Sequence, residues 1–417
     1  MGCGPKRDEW EILSDLAELE QLADTAKADT VGRFVQFRER PDPAWLIGKG
    51  KAEEIALAAE DTEADLVIFD RELSPAQIRN LEGIIPCKII DRTQLILDIF
   101  AQRAQTREGR IQVELAQLQY LLPRLSGRGR EMSRLGGGIG TRGPGEKKLE
   151  TDRRHIRRLI ADLKRELDEV KKHRQLLRTR RKKTGTYQVA LVGYTNAGKS
   201  TLLNRLTGSG VLAEDKLFAT LDPTSRRLVL PAGTEVILTD TVGFIRNLPH
   251  QLVAAFRSTL EQVREADLLL HVVDSSHPEA AEQIAAVEKV LEELDASDIP
   301  VLMVLNKADK AGFRIPPRSS REAVVMSALR DEDLSVLCER IEQMLKGDAI
   351  LVEARIPADR GDWISELFRD GEVLHSRIDG LEMVMELSMS RERFRRISGE
   401  LKAHLHVPDG RFGDTDG

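Results

Sequence analysis

The stretch GYTNAGKS, Gly193 to Ser200, has the spacing G-x-x-x-x-G-K-[ST], directly after the strand-like QVALV and before the helix candidate STLLNRL. That context is what a phosphate-binding loop needs. Its glycines let successive backbone N–H groups converge on an anion, and the following helix adds the positive end of its dipole. All eight residues, Gly193, Tyr194, Thr195, Asn196, Ala197, Gly198, Lys199 and Ser200, are then candidate nucleotide contacts. Lys199 would reach the β- and γ-phosphates, and the Ser200 hydroxyl would ligate Mg²⁺. A bare glycine-rich turn is the competing reading, and the strand and helix that flank the pattern count against it.

Two further stretches fit the same chemistry. DTVG (Asp240, Thr241, Val242, Gly243) closes the strand-like EVILT. There Asp240 would hold Mg²⁺ through water and the Gly243 N–H would sense the γ-phosphate. The next residue is Phe244, where many nucleoside-triphosphate hydrolases carry a glutamine that orients the attacking water. A phenyl ring can neither donate nor accept a hydrogen bond. Either it packs beneath the loop, or the water is handled from outside this side chain, and both readings stay open. NKAD (Asn306, Lys307, Ala308, Asp309) follows the apolar VLMVL. Asp309 can accept from both N1–H and N2–H₂ of guanine, an edge adenine lacks, while Lys307 lays its aliphatic stem on the base. The expected reaction is hydrolysis of GTP to GDP and phosphate, with Lys199 and Gly243 among the groups acting on it.

A chain of 417 residues has room for two or three domains around this site. Residues 1–100 alternate strand and helix signals, DLVIFD, SPAQIRNLE and CKIID, and predict a small α/β domain with parallel strands. Residues 101–183 predict two long helices forming an antiparallel hairpin, the second opening at Thr151–Asp152, joined by a glycine-rich basic loop at 126–148. Residues 186–347 carry the motifs on a doubly wound, mostly parallel sheet. Residues 350–417 predict a small α+β domain without a chemical motif.

Composition excludes several classes. Aromatics are 4% of the chain, too few for base-stacking platforms to be the main binding device. Three cysteines without a CxxC argue against a disulfide framework or a zinc site and for a reducing compartment. No apolar run approaches membrane-spanning length, MGCGPKRDEWEIL has no signal-peptide core, and Lys6 stands where myristoylation needs Ser or Thr. The expectation is a cytoplasmic protein. The net charge of −6 conceals an asymmetry: residues 101–183 hold 24 Lys and Arg against 10 Asp and Glu, leaving −20 on the remainder. A basic block in an acidic chain fits a localised polyanion-binding surface.

With SAL (Ser327, Ala328, Leu329) after the strand-like AVVM, the motif set resembles the translation-factor-related P-loop GTPases. That resemblance gives FATLD (Phe218, Ala219, Thr220, Leu221, Asp222) the role of first switch. Thr220 becomes the second protein ligand of Mg²⁺ and a catalytic group, with Thr224 a nearby alternative. Longer segments narrow it. VGYTNAGKSTLLNRLTG, LFATLDPTSRRL, LTDTVGFIRNLPHQLVAAFRSTL, WLIGKGKAEEI, DRTQLILDIF and LGGGIGTRGPGEKKLETDRR are similar to the HflX GTPases of the Obg–HflX superfamily, over about residues 30 to 345.

The resemblance implies a monomeric protein, bound to neither DNA nor membrane, that docks on the large ribosomal subunit and its ribosomal RNA. There it would split or rescue stalled ribosomes, heat stress included. Hydrolysis would be slow alone and raised by ribosomes. Phe244 places the chain among GTPases with a hydrophobic residue at that position. Asn196 resembles potassium-activated GTPases, in which K⁺ fills the space of an arginine finger, although asparagine is also simply tolerated there. The residues agree on one point: an arginine-rich, glycine-rich loop suits insertion into structured RNA, with Arg128, Arg130, Arg134 and Arg142 as first contacts. The alternatives are an RNA-remodelling ATPase or GTPase, a ribosome-assembly GTPase, and a GTP-dependent scaffold for another protein. Met1 to Lys183 contains no second phosphate loop, and GIGTRG (Gly138 to Gly143) spells G-x-G-x-x-G without a preceding strand.

Overall fold

The computed structural model describes residues 1–125, 144–182, 186–208, 216–246, 262–310, 312, 322–346, 349–390, 394, 397 and 399–407. The arginines at 128, 130, 134 and 142 and the GIGTRG stretch lie outside the described residues. The chain divides into two compact units, one of residues 1–178, 188–226 and 238–329, the other of 179–187, 227–237 and 330–417.

The first unit opens with β1 (Gly2–Gly4), α1 (Glu9–Thr25), β2 (Val35–Phe37), α2 (Lys49–Asp61), β3 (Leu66–Phe69), α3 (Pro75–Glu82), β4 (Lys88–Asp91) and α4 (Arg92–Arg103). Its strands form two parallel pairs, β1 with β2 and β3 with β4. α3 opens with a full capping box: Ser74 Oγ accepts from Gln77 N at 3.2 Å, and Gln77 Oε1 accepts from Ser74 N at 2.9 Å. Asp91 ends β4 and starts α4 at once. Its buried carboxylate accepts from Gln94 N at 3.0 Å, Leu73 N at 3.0 Å and Tyr120 Oη at 2.8 Å.

Two helices follow, α5 (Arg107–Arg124) and α6 (Pro144–Lys182), separated from α4 by the non-helical Ala104–Thr106. Ile111 and Leu115 of α5 pack on Leu167, Leu163 and Ile160 of α6, and Arg107 Nε donates to Glu166 at 3.0 Å. The start of α6 is corrected, from Thr151–Asp152 to Pro144, so the last residues of the 126–148 stretch are helical. Pro144 supplies a preset helical φ at the first position and GEKKLE is rich in helix formers, whereas the expectation rested on the glycines before them.

The motif-bearing sheet has six strands: β5 (Tyr187–Gly193), β6 (Thr224–Val229), β7 (Glu235–Asp240), β8 (Leu268–Asp274), β9 (Val301–Asn306) and β10 (Ala323–Val325). Their order is β10-β9-β8-β5-β7-β6, and the β5–β8, β8–β9 and β9–β10 pairs are parallel. LLLHVV of β8 is buried on both faces, which is why it reads as a continuous apolar run. α7 (Lys199–Thr207) follows β5, and α8 (Ala280–Glu293) follows β8. These elements share one apolar core with α1, α4 and α5.

The second unit holds α9 (Asp331–Lys346), β11 (Ala349–Pro357), α10 (Gly361–Asp370), β12 (Glu372–Asp379), β13 (Glu382–Ser390), α11 (Gly399–Lys402) and β14 (Leu405–His406). Its sheet runs β12-β13-β11-β14 with antiparallel pairing. Val352, Ala354 and Ile356 alternate inward and meet Met385, Leu387, Trp363 and Leu367. That is the α+β arrangement the sequence predicts.

Candidate functional site

β5 delivers GYTNAGKS to the C-terminal edge of the sheet, and Lys199 opens α7. Gly198 adopts φ 98°, and a Cβ there would overlap Asn306 Nδ2. Asn306 clamps the loop from the NKAD side: Nδ2 donates to Ala197 O at 2.9 Å while Oδ1 accepts from Ala328 N at 3.0 Å. One side chain thus joins the phosphate loop, NKAD and SAL.

Lys199 Nζ donates to Gly193 O at 3.0 Å and Tyr194 O at 2.7 Å, spanning the loop from inside. Burial pushes its ammonium down to about 8; Asp240 acts against that shift and Lys307 adds to it. Lys307 Nζ donates to Asn196 O at 2.7 Å and pairs with Asp274 at 2.7 Å. Asn196 itself sits at φ 62°, a left-handed position asparagine tolerates better than most residues. That gives its presence a backbone reason independent of any ion. Thr195 Oγ1 is buried with no hydrogen-bond partner among the described residues.

Ser200, Thr220 and Asp240 converge. Ser200 Oγ donates to Asp240 Oδ2 at 2.7 Å and lies 2.8 Å from Thr220 Oγ1. Asp240 is fully buried, and burial raises its pKa against Lys199 and the Ser200 and Thr220 hydroxyls. Two hydroxyls and a carboxylate make a hard oxygen donor set that fits Mg²⁺. Thr224, the alternative, starts β6 instead. No group of three or more His, Cys, Asp or Glu side chains able to hold a metal occurs among the described residues.

Thr241 Oγ1 donates to Leu191 O at 2.6 Å, fixing the turn out of β7, and Val242 is buried. Gly243 lies against the phosphate loop: a Cβ there would sit 2.8 Å from Thr195 Cα and 3.0 Å from Lys199 Nζ. Phe244 N donates to Gly193 O at 3.1 Å and Phe244 O accepts from Thr195 N at 2.8 Å. Its ring is 1% exposed, within the core shared with Leu16, Phe100 and Phe218. The side chain is packed in the core, and that packing is compatible with a water handled from outside it. At the base end, Ser327 Oγ donates to Asp309, Leu329 N donates to Ser327 Oγ at 3.3 Å, and Ala308 N donates to Met326 O at 3.1 Å.

A cavity of about 50 Å³ lies between the loop and the FATLD stretch, bordered by Thr195, Asn196, Lys199, Ser200, Ala219, Thr220 and Gly243. Phe218 also borders it, whereas Leu221 is core and the Asp222 carboxylate faces the start of α5. Sequence reasoning missed Thr201 and Lys216, which line this cavity too, and Lys216 pairs with Asp24 of α1 at 3.5 Å. It also missed a polar chain beneath the loop. Tyr194 Oη donates to Glu18 and accepts from Arg246 N at 2.7 Å, and buried Arg92 holds Glu18 and, at 2.8 Å, Asp70. None of these has a local motif; only the isolated tyrosine in an otherwise small-residue loop was a signal.

A phosphate loop after the central strand, an Asp and Gly closing on it, and an NKAD clamp define a P-loop GTPase. Three family models match the chain: "GTP-binding GTPase N-terminal" over residues 14–101, "GTP-binding GTPase Middle Region" over 103–181, and "50S ribosome-binding GTPase" over 188–307. The GTPase HflX of Alkalihalophilus pseudofirmus is 55% identical over 361 residues, 87% of this chain and 85% of that protein. The GTPase HflX of Escherichia coli is 47% identical over 363 residues, 86% of this chain and 85% of that protein. A GTP-binding protein from the archaeon Sulfolobus solfataricus, solved with GDP, is 26% identical over 83% of this chain and 99% of its own, with a TM-score of 0.43. The chain belongs to the HflX family of GTPases, and it binds and hydrolyses GTP.

Proposed function

We propose that this GTPase acts on the large ribosomal subunit, docking in its GTP form to split or rescue stalled ribosomes, heat stress included, and leaving after hydrolysis. The observation that carries the reading is the match of residues 188–307 to a family described as a 50S ribosome-binding GTPase. The excess of 14 positive charges in residues 101–183 of a chain whose net charge is −6 supports it, because phosphate neutralisation dominates RNA affinity. The protein works as a cytoplasmic monomer. Among the described residues no helix is long and apolar enough to cross a membrane.

In the site, Ser200 and Thr220 hold Mg²⁺ directly and Asp240 holds its water. Bound Mg²⁺ neutralises charge on the β- and γ-phosphates. Lys199 exchanges its carbonyl partners for phosphate oxygens, and the Gly243 N–H takes the γ-phosphate. Asp309 selects guanine, with Lys307 along the base. Because the Phe244 ring is buried, nothing at that position orients the water. Turnover is slow until a ribosomal partner completes the site, and K⁺ bound beside Asn196 is a second source of missing positive charge.

Sedimentation of intact ribosomes with the protein and a non-hydrolysable GTP analogue tests the main reading. Separated subunits support it; ribosomes that stay whole and unbound remove it. Steady-state GTPase rates with and without ribosomes test the completion of the site, and equal rates in KCl and NaCl remove the potassium role.

A further inference from the structure

Thr220 is held from both sides by residues that belong to the N-terminal half of the chain. Two residues before it, Phe218 takes φ 54°, a left-handed conformation costly for a bulky side chain, and is 2% exposed. Its ring meets Phe100 of α4 edge-on, centroids 4.7 Å apart. Two residues after it, Asp222 reaches the start of α5. Its Oδ2 accepts from Gln105 N at 2.7 Å and Thr106 N at 2.8 Å, and its Oδ1 accepts from Thr106 Oγ1 at 2.5 Å.

The receiving end is shaped for that carboxylate. Thr106 is the N-cap of α5 and accepts from Gly109 N at 3.0 Å, so its hydroxyl serves the helix as acceptor and Asp222 as donor. The carboxylate also sits on the positive end of the helix dipole. Gly109 stands inside the first turn, where glycine costs helix stability. A Cβ there would collide with Asp222 Oδ1 and stand 3.1 Å from Thr106 Oγ1. The absent side chain is the space the carboxylate occupies.

We propose that Asp222 is a positioning residue for Thr220. By clasping the N-cap of α5 it sets the first switch where the Thr220 hydroxyl meets Ser200, and so makes the helical hairpin a structural part of the hydrolytic site. The inference rests on the assignment of Thr220 to Mg²⁺ above. It also gives the coupling a direction of travel: whatever displaces the start of α5 loosens the Thr220 hydroxyl, and by linkage nucleotide and Mg²⁺ bias the hairpin.

The test uses the full-length chain with Asp222→Ala, Asp222→Asn, Thr106→Ala and Thr220→Ala, measuring GDP affinity, Mg²⁺ dependence of GTP turnover and thermal unfolding. For Asp222→Ala the Mg²⁺ concentration at half-maximal turnover rises about tenfold and kcat falls, as expected for loss of charge-assisted hydrogen bonds, while GDP affinity stays within about twofold. Asp222→Asn keeps one oxygen for the two backbone N–H groups and restores part of the Mg²⁺ response. Thr106→Ala reproduces the signature from the hairpin side, and the Asp222→Ala/Thr106→Ala pair adds little to either change alone. Unaltered Mg²⁺ dependence in Asp222→Ala, beside a shifted one in Thr220→Ala, overturns the clasp alone. Unaltered dependence in Thr220→Ala overturns the Mg²⁺ assignment beneath it. Parallel loss of GDP affinity, turnover and thermal stability in Asp222→Ala shows a merely structural residue and also overturns the proposal.

Discussion

Tyr194 and Phe244 pair as an isolated parallel β-bridge, so the turn that follows DTVG extends β5 by one residue. The backbone of Phe244 is fixed on both sides of Tyr194, to Gly193 O and from Thr195 N, and its ring is turned into the core. A glutamine at this position inherits that backbone. Phe244→Gln therefore does not accelerate GTP turnover; it buries an amide where a ring was packed. Steady-state phosphate release reads the first effect. Thermal unfolding reads the second, a destabilisation of about 2–4 kcal/mol from lost packing and an unpaired amide. A variant that is faster and equally stable would mean that the ring does not hold this conformation.

Lys199 gives a pH signature. Its pKa in the nucleotide-free protein is lowered by burial to about 8, and phosphate oxygens raise it in the complex. Below about 8 both states are protonated and GTP affinity is flat. Above that value the free protein must take up a proton to bind, so affinity falls by up to about tenfold per pH unit. The folding contribution has the opposite trend. The ammonium is disfavoured in the fold below about 8, and that destabilisation is relieved as pH rises from about 8 toward 10.5. Calorimetric titrations with GDP in two buffers of different ionisation heat, at pH 7 and pH 9, measure the proton uptake directly. Zero uptake at pH 9 would contradict the lowered value.

The base selectivity proposed for Asp309 has its own test. Its carboxylate already accepts from Ser327, which orients it. Asp309→Asn replaces one acceptor by a donor facing the guanine N–H groups. GTP affinity falls about tenfold to hundredfold, the cost of one mismatched charged hydrogen bond, while ATP affinity hardly changes. Competition against a fluorescent GDP analogue checks both nucleotides.

Arg92 tests the seam beneath the loop. It is 2% exposed and holds Glu18 and Asp70, and Arg92 Nη2 also donates to Arg246 O at 3.3 Å. Arg92→Met strands two carboxylates and costs about 3–5 kcal/mol, read as a lower denaturant midpoint. The triple change with Glu18→Gln and Asp70→Asn recovers most of it, because the unpaired charges go too.

Asp15 faces a cavity of about 390 Å³ beside this cluster, with Asp70 and Arg92 also on its wall. Burial, then Asp70, pushes its pKa from 3.8 to about 7. A raised carboxyl stabilises the fold when protonated: the contribution is complete below 3.8 and is lost as pH rises through about 7. Asp15→Asn keeps the neutral form at every pH. Its melting temperature relative to the parent therefore climbs between pH 5 and pH 8, and a flat difference would show that Asp15 is ionised throughout.

The GTP motifs were legible because each ties chemistry to a fixed local spacing. Gly198, Lys199 and Ser200 sit in one eight-residue pattern, whereas the reach of Asn306 to Ala197, 109 residues away, shows only in the fold. The start of α6 was misread because the glycines before Pro144 drew the boundary too late. The contacts of Glu18 with Tyr194, and of Asp222 with Thr106, lie 176 and 116 residues apart in sequence. No spacing rule reaches that far. Gly109 carries a trace of the second, as a glycine within a helical pattern that has a packing reason.

That glycine ends one turn of a long lever. α5 has 18 residues and so spans about 27 Å at 1.5 Å per residue. Tilting a rigid rod of that length by about 10° at its clasped end sweeps the other end through about 5 Å, close to one helical turn of rise. The other end of that rod is fastened as well, with Tyr120 Oη donating to Asp91 at 2.8 Å and Arg124 Nη2 donating to the same carboxylate at 3.1 Å, so α5 ties the Asp222 contact to the junction of β4 and α4.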